Sequence, residues 1–245
     1  MRVGEDMITA SINARMGSTR LPGKVLMDIE GQPLLSLLLH RLRKAKTLDK
    51  IVLATTTFPE DDVLLDWADD VGLPVFRGSE LDVLERTVEA NAWMGSDIVV
   101  RVCGDTPLID PDLVDRAVQL VERGTCDIAM SAADRKYPHG VSAHVCKMSD
   151  LEHLHETLSD PVLREHVTLH LYESGEYKVH KLQGKPEWDC EGQRLQVDYK
   201  EDLEVVRLII SRLGVDCSLG DIVGLLRREP WIRGLNEGCE ETVIR

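Results

Sequence analysis

The sequence predicts an α/β fold: a mainly parallel sheet flanked by helices. Two observations carry that expectation. In the first half, short apolar runs alternate with segments of helical periodicity. Those runs are close to continuous in apolar character, the pattern of strands covered on both faces, and such strands belong to parallel sheets joined through helices. A third observation places function in that frame. Residues 14–24, Ala-Arg-Met-Gly-Ser-Thr-Arg-Leu-Pro-Gly-Lys, set small residues and three cations directly after the first run.

The elements follow in order. Residues 7–12 form the first strand and 34–42 a leucine-rich helix. A strand at 51–56, a helix at 61–71 and a short strand at 74–76 come next. Residues 81–94 are helical through Leu81, Leu84, Val88 and Ala92. Residues 98–102 are a buried strand, and 111–123 a helix that Asp110 caps and Pro111 starts. The second half is less regular: a strand at 127–132, a turn at 137–140 and strands at 141–147, 177–182 and 195–197. Helices are expected at 163–172, 201–213 and 219–228, the last ending before Pro230. With no repeat, low-complexity tract or Pro/Gly linker, residues 1–245 read as a single domain, with about 135–190 as a lid or dimerising insertion.

Composition narrows the function. A net charge of −14 argues against nucleic-acid binding, which needs broad positive surface. Arg15, Arg20 and Lys24 are therefore a local positive spot on an acidic protein, suited to a small anionic ligand. No apolar stretch approaches the roughly 20 residues of a membrane span. The six cysteines show no C-x-x-C spacing, so zinc is not expected, and reduced thiols in a cytoplasmic protein are. In the 14–24 loop, Gly17 and Gly23 allow close backbone approach, Ser18 and Thr19 offer hydroxyls, and exposed amides join the cations in favouring a polyphosphate. In parallel sheets ligands sit beyond the carboxyl ends of the strands. This loop and Gly104-Asp105-Thr106-Pro107 both leave such ends and should face one crevice.

Four ordered blocks carry a resemblance. They are the 14–24 loop; Arg77-Gly78-Ser79-Glu80 with Asp82-Val83-Leu84 and Arg86; Gly104 to Pro111; and Val197-Asp198 with Glu201-Asp202-Leu203-Glu204. Arg164-Glu165-His166-Val167 is also shared. The chain resembles the cytidylyltransferases that activate sugar acids as CMP conjugates, including the acylneuraminate and ketodeoxyoctonate enzymes. It is most like their spore-coat polysaccharide biosynthesis protein F branch. The resemblance implies a Rossmann-like nucleotide-diphosphosugar-transferase fold, a homodimer, and magnesium-dependent transfer of CMP from CTP to a small anionic acceptor with release of pyrophosphate. Arg15, Lys24 and Asp105 would be catalytic. Ala14, Arg15, Met16, Gly17, Ser18, Arg20 and Lys24, with Gly78, Ser79, Asp82 and Arg86, would bind the nucleotide. Asp105 and Asp198 would hold magnesium, and Tyr137, His139, Ser142, His144, Arg164, Glu165 and His166 would meet the acceptor.

Other readings stand beside these. Asp198, three residues before Glu201, could start a capping box for the following helix. Tyr199-Lys200 also replaces the family's usual Thr-Pro. Arg86 and Asp82 could be a surface i,i+4 pair. Asp110 reads as a helix cap rather than a metal ligand. Ser142 and His144 stand where the related branch carries Asp and Glu, so the expected acceptor is more anionic or differently shaped, with a phosphate or carboxylate near His144 as a candidate cation; a surface hairpin that has drifted is the other reading. A glycosyltransferase of the same fold using a nucleotide sugar, or a non-catalytic nucleotide-binding protein, would be the alternative activities.

Overall fold

A computed structural model describes residues 6–131 and 137–239. In chain order its strands are β1 (Ile8–Asn13), β2 (Asp28–Ile29), β3 (Gln32–Pro33), β4 (Lys50–Thr56), β5 (Val75–Gly78), β6 (Ile98–Cys103), β7 (Ile128–Ser131), β8 (His144–Lys147) and β9 (Val179–Leu182). Its helices are α1 (Leu34–Leu42), α2 (Asp62–Asp70), α3 (Val83–Met94), α4 (Pro111–Glu122), α5 (Met148–Thr157), α6 (Pro161–Glu165), α7 (Leu169–Glu173), α8 (Lys200–Leu213), α9 (Leu219–Arg228) and α10 (Pro230–Gly234).

Seven strands form one sheet in the order β5-β4-β1-β6-β8-β7-β9. The pairs β5–β4, β4–β1 and β1–β6 are parallel, as expected of buried strands joined through helices. Only β8 runs against the rest, antiparallel to both β6 and β7. From β1 the chain winds outward through β4 and β5, then returns to lay β6 on the other side. That reversal opens a crevice at the carboxyl ends of β1 and β6.

The two faces of the sheet differ. Ile8, Ala10 and Ile12 of β1, with Ile98, Val100 and Val102 beside them in β6, pack under α1 and α4. The alternate residues Thr9, Ser11 and Asn13 lie opposite Val99, Arg101 and Cys103 and point to the α3 side. Thus β1 alternates apolar and small polar residues although both its faces are covered. A second core joins α8, α9 and α10 to Leu34, Leu37, Leu108 and Leu113.

Several expectations are revised. The helix expected at 163–172 is two short ones, because Val167 takes φ 57°, a left-handed value that interrupts a right-handed helix. The strand expected at 195–197 is reduced to a single bridge between His139 and Arg194, and that expected at 141–147 pairs only from His144. The strand expected at 127–132 is paired over Ile128–Ser131; Ala132 lies outside the described residues. Helix α5 follows β8 without a break, and Pro230 starts α10. The 135–190 stretch, expected as a lid or dimerising insertion, is in its described part woven into the sheet. It supplies β8 and β9, and α5 packs on α3.

The crevice depends on Gly104. Its N–H donates to Asn13 O at 2.9 Å, and a Cβ there would lie 2.6 Å from Ala14 Cβ and 3.1 Å from Asn13 O. Both contacts involve main chain or its first carbon, so neither yields by a rotamer change. Gly104→Ala is expected to cost about 1–3 kcal/mol of stability, read from urea unfolding, by forcing the two loops apart.

Candidate active site

Asn13 and Cys103 are register partners at the ends of β1 and β6, so the loops that follow leave the sheet side by side. The 14–24 loop curls around one carbonyl: Met16 O accepts from Ser18 N at 3.0 Å and Gly23 N at 2.9 Å. Gly23 sits at φ 72°, where a side chain would be strained. Met16 N donates to Asp61 Oδ1 at 2.6 Å, and the other Asp61 oxygen accepts from Thr56 Oγ1. Asp61 is thus a buried post for the loop. Sequence reasoning placed it only at a helix start; the signal was an acid shortly after the end of a strand. Ala14 is buried, while Arg15, Gly17 and Arg20 are exposed. Ser18 is half-buried, its Oγ accepting from Leu21 N at 3.4 Å.

Charge concentrates at the floor of the crevice. Lys24 is buried, and its Nζ lies 2.6 Å from Asp105 Oδ2 and 2.8 Å from Asp198 Oδ1. Burial opposes the ammonium charge, but the two carboxylates outweigh it and hold Lys24 above its ordinary pKa. Arg20 reaches the same Asp198 oxygen at 2.8 Å and lies over the Tyr199 ring. Asp105 Oδ1 is buried and accepts no hydrogen bond. Such an orphaned oxygen has a ligand valence unused by the protein.

Asp198 is not the helix cap. Asp202 does that work, accepting from Asp198 N and Tyr199 N at 2.9 Å each. Asp202 is itself paired with buried Arg194 and accepts from Asn236 Nδ2 at 2.8 Å. The Asp198 carboxylate is therefore left to face Lys24. Val197 N donates to Asp105 O at 2.8 Å, which ties the two acid-bearing segments by their backbones. Asp110 caps α4, accepting from Asp112 N and Leu113 N.

The second block comes to the other side of the loop. Arg15 pairs with Glu80 at 2.9 Å. Arg86 is buried, its stem against Gly78 and its Nη1 donating to Ser79 O. Burial, aided by the charge of Arg15, brings Arg86 down to about 10. It is therefore no surface partner of Asp82. Asp82 caps α3, accepting from Glu85 N at 2.9 Å, and its other oxygen meets Arg164 Nε at 2.6 Å. Arg164 also donates to the carbonyls of His155 and Leu158. Asp82 and Arg164 thus brace α3 against α6, with most of their bonding capacity engaged inside the fold.

The residues expected at the acceptor are spread out. Tyr137 is buried in the second core and donates to Leu182 O at 3.2 Å. His139 is exposed, Ser142 half-buried, Glu165 exposed and His166 half-buried. His144 lies opposite Arg101 in the β6–β8 register. Its Nδ1 is 2.7 Å from Thr168 Oγ1, and its ring stands edge-on to Tyr172 at 5.6 Å. Burial, then the charges of Arg101 and His139, lowers its pKa to about 3. The expected cation at His144 is therefore absent, and the positive charge on this face belongs to Arg101. An arginine inside Ile98-Val99-Val100-Arg101-Val102 was the available signal.

Among the described residues no three or more His, Cys, Asp and Glu side chains group as a metal cage. The crevice offers two carboxylates, beside cations on a loop of turned-in amides, which suits a phosphate-bound divalent ion better than a protein-enclosed one.

Comparison with known proteins gives the family. The cytidylyltransferase family pattern matches residues 9–202. The chain is 34% identical over 230 residues to the spore coat polysaccharide biosynthesis protein SpsF of Bacillus subtilis, covering 89% of this chain and 93% of that one. It is 37% identical over 114 residues to the 3-deoxy-manno-octulosonate cytidylyltransferase of Geobacter sulfurreducens, a match covering 45% of this chain and 44% of that one. A cytidylyltransferase structure from Leptospira borgpetersenii superposes with a TM-score of 0.88 at 30% identity, over 94% of this chain and 97% of the other.

Two outcomes follow from the geometry. Asp61→Ala should cost about 1–3 kcal/mol in urea unfolding and speed tryptic cleavage after Arg15 and Arg20, because a buried amide loses its acceptor. His144 is neutral when folded but takes a proton below about pH 6.5 when unfolded. Stability should therefore fall as pH drops from about 6.5 toward 3, and His144→Gln should lack that component. Identical pH dependence in the two proteins would refute the half-buried, neutral imidazole.

Proposed function

Because this chain belongs to the cytidylyltransferase family, we propose that it transfers CMP from CTP to a sugar-acid acceptor, with release of pyrophosphate, in surface-polysaccharide or modified-sugar synthesis. The observation that carries this reading is the Lys24 ammonium held between Asp105 and Asp198 at the crevice, with Asp105 Oδ1 left open. An acceptor hydroxyl oxygen attacks the α-phosphorus, the bond from that phosphorus to the bridging oxygen breaks, and pyrophosphate leaves with the electron pair. The hydroxyl proton passes to solvent. The protein's contribution is position and charge rather than a covalent nucleophile.

Arg15, Arg20 and Lys24 are the cations that meet the triphosphate, supported by the loop amide at Gly17, while the Met16 amide is held by Asp61. In the structure these cations are paired with Glu80, Asp198 and Asp105. Nucleotide therefore enters by exchange, its phosphates taking over side chains already ordered by carboxylates. Asp105 and Asp198 fit magnesium, which takes one or two carboxylates together with substrate phosphates. When bound, the ion neutralises phosphate charge and stabilises the developing transition state. Glu80 and Arg86, beside Arg15, form the nucleoside side of the site. A homodimer in the cytoplasm goes with this reading, and the six unpaired cysteines accord with a reducing compartment.

The test is pyrophosphate release with magnesium, each of the four nucleoside triphosphates and a panel of sugar acids. CTP with at least one acid should give turnover. Asp105→Ala and Asp198→Ala should each lower kcat at least about 100-fold while retaining CTP binding. Undiminished turnover in Asp105→Ala would remove the metal assignment.

A further inference from the structure

Arg101 is the one charged residue of β6 (Ile98–Cys103), and the reaction above gives it no role. It lies opposite Ser11 on one side and His144 on the other, facing the α3 side of the sheet. Its Nε is buried without a hydrogen-bond partner, and among the described residues no carboxylate pairs with it. Its register partners Ser11 and His144, and Val99 and Cys103 on the same face of β6, include no carboxylate. Arg101 as a whole is half-buried, but a guanidinium nitrogen closed off from water without a partner is costly, and an arriving anion would offset that cost. On a protein of net charge −14, such a position is not a general consequence of composition.

Its place in the fold says which anion. Cys103, two residues on along the same face, ends the strand, and the loop that carries Asp105 leaves from it. Two strand residues span about 7 Å. An anion on Arg101 would thus lie behind the strand end from which the Asp105 loop departs. The phosphate-binding cations are on the loop after β1, whereas Arg101 lies toward β8. Its neighbour His144 is pinned by Thr168 and uncharged, so it can frame an anion without competing for it.

We propose that Arg101 is the anchor for the acceptor's carboxylate, and so the residue that selects acids over neutral sugars. The proposal rests on the reaction proposed above. A guanidinium fork matches a carboxylate bidentately, and an acid so held directs its far hydroxyl toward Asp105.

The test compares wild type, Arg101→Gln and Arg101→Lys in pyrophosphate release, with CTP, magnesium and a panel of sugar acids, each beside its methyl ester. Arg101→Gln should raise the acceptor KM about 10- to 100-fold, the loss of a charged hydrogen-bonded contact. The KM for CTP should stay within about threefold, since that contact is not made to the nucleotide. Arg101→Lys should recover part of the loss. Wild type should prefer acid to ester by a similar factor, and Arg101→Gln should lose that preference. Unchanged acceptor KM with the acid preference intact would overturn the anchor. Should Arg101→Gln fail to fold, Arg101→Lys and the wild-type acid-to-ester ratio decide: no change in either overturns it. If wild type turns over no acid, the reaction itself is misassigned. The anchor is then judged by calorimetric binding of the same acids to the CTP-loaded proteins. Binding lost in Arg101→Gln upholds it; equal binding, or none to wild type, overturns it.

Discussion

One buried ammonium organises the catalytic end of this protein. Lys24 meets Asp105 and Asp198, residues 81 and 174 positions away in the chain, and so draws together three segments that no local rule connects. Losing one partner of a buried pair costs about 3–5 kcal/mol, because the other charge is left without compensation. That dependence makes the cluster a strong constraint on the loops around it.

The supporting residues explain why the cluster can be so exact in position. Asp202 collects Asp198 N, Tyr199 N, Arg194 and Asn236, so the carboxylate of Asp198 is aimed by its own backbone. Asp61 does the same for the 14–24 loop, through Met16 N. Gly104 removes the only bulk that would hold the two strand ends apart. Each is buried, and none needs to touch a substrate to govern where one binds.

The sheet divides its labour between its faces. The face under α1 and α4 is apolar and supplies cohesion. The face under α3 carries Ser11, Asn13 and Arg101, polar groups whose burial weakens cohesion. Such a local conflict between burial and polarity is where a fold gives up stability for chemistry. Here it adjoins the crevice, with Arg15, Glu80 and Arg86 on one side of it and Arg101 and His144 on the other.

Much of this was legible in the sequence. The apolar runs foretold β1, β4, β6 and their parallel pairing, because continuous burial follows directly from composition along the strand. Asp110 and Pro111 marked the start of α4, since capping is a local interaction. The loop at 14–24 and the acids at 105 and 198 were recognisable by residue type. What the linear order could not express was competition among partners. Whether Asp198 caps α8 or faces Lys24 depends on where the helix begins, and it begins one residue later, with Tyr199 at the cap and Asp202 closing the capping box. Whether Asp82 and Arg164 meet ligand or each other depends on where α6 lands. Whether His144 carries charge depends on burial and on Arg101 across the strand pair. By itself the sequence determined which elements form and which chemistries are present. Only the tertiary structure decided which groups are already satisfied and which stand open, because hydrogen-bond partners and dielectric environment are set by long-range packing.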